Sequence, residues 1–211
     1  MRTDDLIHAL AADAGMRSEP IARRFVMLAV LAVLAGAAVY CFTTQPRPDL
    51  GATITTLRVA FKFLVTLSLT GLAGALAFRA MRPEDRPMLG RVLAPVLVLL
   101  AAGVAGELLA APPAAWGPLL VGSNALSCLL LVPLLSLAPL GVMLASLRHG
   151  APSQPGRAGA LAGLLAGGIG ATFYATHCVD DSPLFVTAWY GLGVAIITAL
   201  GAVLGRRLLR W

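Results

Sequence analysis

The sequence predicts an all-α fold: a polytopic membrane protein whose six transmembrane helices form one bundle behind a short cytoplasmic amphipathic helix. Three observations carry this. Six apolar segments occupy most of the chain, short loops join them, and the basic residues fall almost wholly in alternate loops. The 211 residues are 58% hydrophobic and 12% charged, with a mean hydropathy of +0.84, whereas soluble domains average about 25% charged residues.

Residues 1–24 read as a cytoplasmic segment, 25–205 as the transmembrane domain and 206–211 as a basic cytoplasmic tail, with no room for a second folded domain. The first segment is too polar for a secretory signal peptide. In it Thr3 can cap a short helix, Asp4 and Asp5 suit the positive end of its dipole, and Leu6, Ile7, Leu10 and Ala14 share one face. An interfacial anchor usually carries Lys or Arg on its polar face, and here the polar face carries Asp4, Asp5 and Asp13. The segment therefore reads as a surface for a cytosolic partner, with an interfacial anchor lying on lipid as the alternative.

The spans follow as 25–42, 57–78, 92–110, 119–147, 158–176 and 184–204, each near the ~20 residues that cross a bilayer. Ser18 and Pro20 suit the start of the first. Pro83 and Pro87 interrupt the second cytoplasmic loop, and Pro112, Pro113 and Pro118 break the chain between spans three and four. Pro95, Pro133 and Pro139 predict kinks within spans. The fourth segment exceeds one untilted crossing, so its start near Gly122 is expected in the interface, or its end in the cytoplasm. Gly159, Gly163 and Gly167, with Gly201 and Gly205, recur every four residues and let helix backbones approach closely, within one bundle or across a homodimer.

Thirteen of the sixteen basic residues flank the spans on one side: Arg2, Arg17, Arg23 and Arg24, then the loops with Arg79 to Arg91 and with Arg148 and Arg157, then the C-terminal arginines. The other side has Arg47, with Arg58 and Lys62 just inside span two. Both termini are therefore expected in the cytoplasm. The net charge of +6 is explained by topology, so no direct nucleic-acid contact is expected.

The chemistry-bearing residues gather at the opposite, outer side. His177, Cys178, Asp180 and Asp181 follow span five, Cys128 opens span four and Cys41 ends span one. An extracytoplasmic compartment permits disulfides. Cys128, Cys178, His177 and Asp180 together would suit a soft or borderline metal, so a transient metal ion is a candidate and no resident cofactor is expected. Cys41 reads as a small packing residue. Among the intramembrane charges, Lys62 is expected to pair with Glu107, or Arg58 and Lys62 to snorkel to the outer interface.

Enzyme classes find no support: G-x-x-x-x-G-K-[ST], H-E-x-x-H, G-x-S-x-G and an outer-loop C-x-x-C are all missing from the sequence. A small transporter or metal-efflux protein is the rival from another class. It needs a polar path through the bilayer, and spans one, four, five and six carry no charge at their centres.

Along nearly its whole length the chain resembles the NrsF family of bacterial membrane anti-sigma factors. The resemblance is carried by Thr3-Asp4-Asp5-Leu6-Ile7 with Leu10-Ala11-Ala12-Asp13, by Phe61-Lys62, by Cys128 followed by Pro133-Leu134-Leu135, and by His177-Cys178 through Asp180-Asp181-Ser182-Pro183-Leu184 to Trp189-Tyr190-Gly191. It implies an inner-membrane protein that holds an extracytoplasmic-function sigma factor inactive and releases it under heavy-metal or oxidative stress. By the same resemblance Cys128 and Cys178 are the paired signalling cysteines, with His177 beside the second. Asp5, Leu6, Ile7 and Leu10 are the sigma-contacting segment, and Cys41 has no counterpart in the pattern.

Overall fold

A computed structural model describes residues 3, 21–81, 89–150 and 152–209. The amphipathic segment with Asp5, Leu6, Ile7 and Leu10, and the loop with Pro83 and Pro87, lie outside the described residues. Those described form helices only: α1 (Ile21–Thr43), α2 (Leu50–Thr53), α3 (Leu57–Ala80), α4 (Leu89–Ala110), α5 (Pro113–Val121), α6 (Ala125–Leu147), α7 (Pro155–His177), α8 (Pro183–Phe185), a π-helical turn (Val186–Tyr190) and α9 (Gly191–Leu208). Six stretches are long and apolar enough to cross a membrane; α5 with α6 makes one, and Pro183 to Leu208 makes another.

Two boundaries differ from expectation. The prolines before span four break the chain at Ala111 and Pro112 as expected, but they also start a helix earlier than expected: Pro113 occupies the first turn of α5, where its missing N–H leaves no donor unsatisfied, and Pro118 lies within it. The fourth segment is therefore two helices, broken at Gly122 with φ +59°, the one positive-φ residue among those described. A Cβ there would lie 2.6 Å from the Phe185 ring and 2.8 Å from Asp180 Cγ, so both the turn and the packing require glycine. At the other end α9 runs through Arg206 and Arg207 to Leu208, three residues into the stretch read as a tail.

α7 is the central helix, buried for most of its length, whereas α4 is largely exposed on the rim. Its small residues explain this placement. Gly159, Gly163 and Gly167 face α9, where a Cβ on Gly159 would meet Gly201 and Gly205 backbone and one on Gly163 would meet Ile197 and Thr198. Gly168 faces Thr70 of α3, and Gly170 faces Val132 and Ser136 of α6. Glycines on three sides let three helices approach α7, and in lipid such close van der Waals contact is the main source of adhesion. The four-residue repeat is thus filled within one chain.

The core falls into two clusters. One, at the end where the described arginines of the helix termini collect, contains Leu76, Met143, Leu147, Leu161 and Ile197. The other, at the opposite end, contains Cys128, Cys178, Tyr174, Phe185, Val186 and Tyr190.

Candidate functional site

The second cluster is closed by the five residues between α7 and α8. The Cys178 N–H still donates to Tyr174 O of the last turn (3.0 Å), but its own backbone is extended, so the chain leaves the helix there. At the far side Ser182 Oγ accepts from the Leu184 N–H (3.3 Å) and Pro183 takes the first helical position, a polar start for α8. The two aspartates between them are held in different ways.

Asp180 turns toward α6. Its carboxylate accepts from the backbone N–H groups of Ser123 (3.1 Å) and Asn124 (2.9 Å), and from Ser123 Oγ and Asn124 Nδ2. Asn124 makes no capping bond of its own. Asp180 therefore supplies, from 56 residues away in sequence, the acceptor and the negative charge that the N-terminus of the Cys128-bearing helix needs.

Asp181 turns inward, where it pairs with Lys62 of α3 and, through Oδ2, with Arg47 Nη1 at 2.8 Å. Lys62 is fully buried and the Arg47 side chain only 3% exposed. Both cations also reach the carbonyl oxygen of Cys178, Lys62 Nζ at 2.8 Å and Arg47 Nη1 at 3.2 Å. Arg47 is itself fixed by its N–H to Thr176 O (3.0 Å) and by Asp49 at 3.2 Å. The expectation for Lys62 is corrected on both counts: it neither snorkels nor pairs with Glu107. Arg58 takes Glu107 instead, at 2.6 and 3.3 Å. Four residues turn a helix by ~40° beyond a full turn, enough to aim Arg58 at α4 and Lys62 at the Cys178 loop.

The two candidate signalling cysteines share one cluster, both buried and both free, while Cys41 is free and exposed. Burial pushes the Cys178 thiol up from its ordinary value, against a smaller downward pull from Lys62, so the group is protonated at neutral pH. Its Sγ lies 3.8 Å from Asp180 O. Tyr174 and Tyr190 pack against each other at 5.5 Å between ring centroids in the same cluster.

His177 does not join the thiols through a ring nitrogen: Nδ1 donates to Gln45 O at 2.7 Å, and the ring tilts against Tyr174 at 5.9 Å. The four-residue metal set of Cys128, Cys178, His177 and Asp180 is therefore not assembled. Among the described residues no three His, Cys, Asp or Glu side chains form a metal-holding group. The physical reason is competition, since a backbone carbonyl holds His177 and a helix N-terminus holds Asp180.

Arg47 escaped the sequence reading as a site residue. Its signal was there, as the sole basic residue in a connection where topology expects none. The tyrosines gave no such signal, because aromatic residues near a span end are ordinary.

Fold and site together define a polytopic α-helical membrane protein with a buried two-cysteine cluster capped by an ion-paired loop. The chain belongs to the NrsF family, whose model, described as negative regulator of sigma F, matches residues 10–211. It is 41% identical over 216 residues to anti-sigma-F factor NrsF of Caulobacter vibrioides, and 34% identical over 214 residues to the probable anti-sigma-F factor NrsF of Azospira oryzae, with 100% of each chain covered in both cases. No solved structure matches.

Proposed function

We propose that this chain is a membrane-embedded anti-sigma factor that sequesters an extracytoplasmic-function sigma factor and releases it on metal or oxidative stress sensed at Cys128 and Cys178. The observation that carries the reading is full-length similarity to anti-sigma-F factor NrsF, joined to the burial of both cysteines in one cluster. The sigma factor binds through the cytoplasmic N-terminal segment around Asp5, Leu6, Ile7 and Leu10. Both termini face the cytoplasm of a bacterial inner membrane, as the side bias of the arginines supports.

His177 and Asp180 are engaged elsewhere, so the two thiols are the groups that an oxidant or a thiol-binding metal would modify. Modification changes the packing of α6 against α7, which carry or adjoin the cysteines, and shifts the balance between sigma-holding and sigma-releasing states. A tenfold release needs only about 1.4 kcal/mol of difference between the states.

The test is a pull-down from membranes of the full chain and of a variant lacking residues 1–24. Co-purification of a sigma factor with the full chain alone is expected. Equal recovery with the shortened chain would place the binding surface elsewhere, and no sigma factor with either would end the reading.

A further inference from the structure

Lys62 and Arg47 come from separate segments, α3 and the α1–α2 connection, yet both reach the Cys178 carbonyl oxygen and both pair with Asp181 of the α7–α8 loop. Two cations at one carbonyl are held there by the single carboxylate of Asp181 between them, because the other acid at hand, Asp49, is 56% exposed and pairs with Arg47 alone. Buried charges are retained at such positions only when paired and hydrogen-bonded. Cys178 itself is 1% exposed although its neighbour Val179 is 53% exposed, so the thiol sits one residue beneath the surface. The loop borders a crevice of about 930 Å³, lined by Phe61, Arg58, Glu107, Val179 and Asp181 among others. Asp181 forms part of its wall, and its ion-pair partner Lys62 and the Cys178 residue are not among the lining residues.

We propose that Lys62, Arg47 and Asp181 form an ionic latch that holds the α7–α8 loop closed and positions Cys178 out of reach of water-soluble thiol reagents. The loop is the lid, the crevice is the approach, and the Asp181 bridge keeps the lid shut. Loss of the Asp181 carboxylate leaves two unneutralised cations as the loop's only ties, and loss of Lys62 leaves the loop tied to Arg47 alone; either change frees the loop to swing outward and brings the thiol to the crevice. Because Arg47 is also bonded to the end of α7 and follows α1, opening moves the helix that leads back to the N-terminal segment. The link to signalling rests on Cys178 being a stress-responsive thiol; the latch itself does not.

The experiment uses the full-length chain in lipid nanodiscs, with Cys41 and Cys128 replaced by Ser so that Cys178 is the sole cysteine, and a charged, membrane-impermeant maleimide as probe. Lys62→Met and Asp181→Asn are expected to raise the labelling rate at least tenfold. Lys62→Arg, which keeps the charge, and Arg58→Gln, which lies on the crevice rim outside the latch, are expected to stay within twofold of the parent. Rates within twofold for both Lys62→Met and Asp181→Asn would overturn the latch. The same substitutions in a background retaining only Cys128 separate opening from unfolding: Cys128 stays protected if the loop alone opens. Equal acceleration there would reduce the cluster to a general fastening of the bundle and so also overturn the proposal. A sigma-dependent reporter in cells then tests the other reading. Faster labelling with an unchanged stress response would uphold the latch and remove Cys178 from sensing.

Discussion

A single carboxylate at position 180 shows how much a site residue's role depends on what lies across from it. Asp180 beside His177 and Cys178 reads as a metal ligand, yet its oxygens are occupied by the donors at the head of α6. Asp180→Ala should lower stability by ~1–2 kcal/mol, the usual range for a lost N-cap with its favourable charge. Thermal denaturation in detergent, compared with Gln45→Ala at an exposed position whose contact to His177 is made by the backbone, would show it; equal melting of the two variants contradicts the capping role. The cysteines are separable in the same way. Cys128→Ser and Cys178→Ser should each keep sigma bound and lose release by oxidant or thiol-binding metal, because Ser keeps the size and lacks the thiolate that both chemistries use. Cys41→Ser, at an exposed position, should respond normally. Sigma-dependent reporter output with and without stress decides. A normal response from both buried-site variants would take the thiols out of the mechanism, and a lost response at Cys41 would mean the wrong pair.

At the scale of elements, α7 and α9 meet through glycines with no space for larger side chains. Gly163→Leu must push Ile197 and Thr198 backbone aside, and overpacking of this kind costs about 1–3 kcal/mol or more. Gly71→Leu on α3, where a Cβ meets nothing within 4 Å, should be tolerated. Melting of the two variants in one detergent is the comparison, and equal stability would mean that the α7–α9 contact is not the tight joint described. The N-terminal segment lies outside the described residues and is judged by its sequence pattern alone. Leu6→Asp with Leu10→Asp should free the sigma factor while leaving membrane insertion intact, since a charge on a packed apolar anchor is costly, on the order of several kcal/mol when no partner is available. Sigma retained at the parent level would show that this segment is not the binding surface.

For the whole molecule the arginine bias predicts that reporter fusions at Arg82 and Asp180 report opposite sides of the membrane; the same side for both would end the proposed topology. What the sequence determined by itself is the architecture at this scale. Six apolar lengths fix six spans, and charge bias suggests their direction, because a bilayer imposes one length and one charge rule on every segment regardless of its neighbours. The Gly-x-x-x-Gly repeats were legible as packing surfaces for the same reason. Only the tertiary structure decided which groups meet. Asp180 and Asp181 are adjacent, yet one caps α6 and the other bridges Lys62 and Arg47, and Arg58 rather than Lys62 takes Glu107. Spacing along one helix or loop places such groups at one end of the bundle. Which partner each one reaches turns on rotations of tens of degrees and on contacts between residues as far apart as 47 and 181, and those are set by how the helices seat against the glycines of α7.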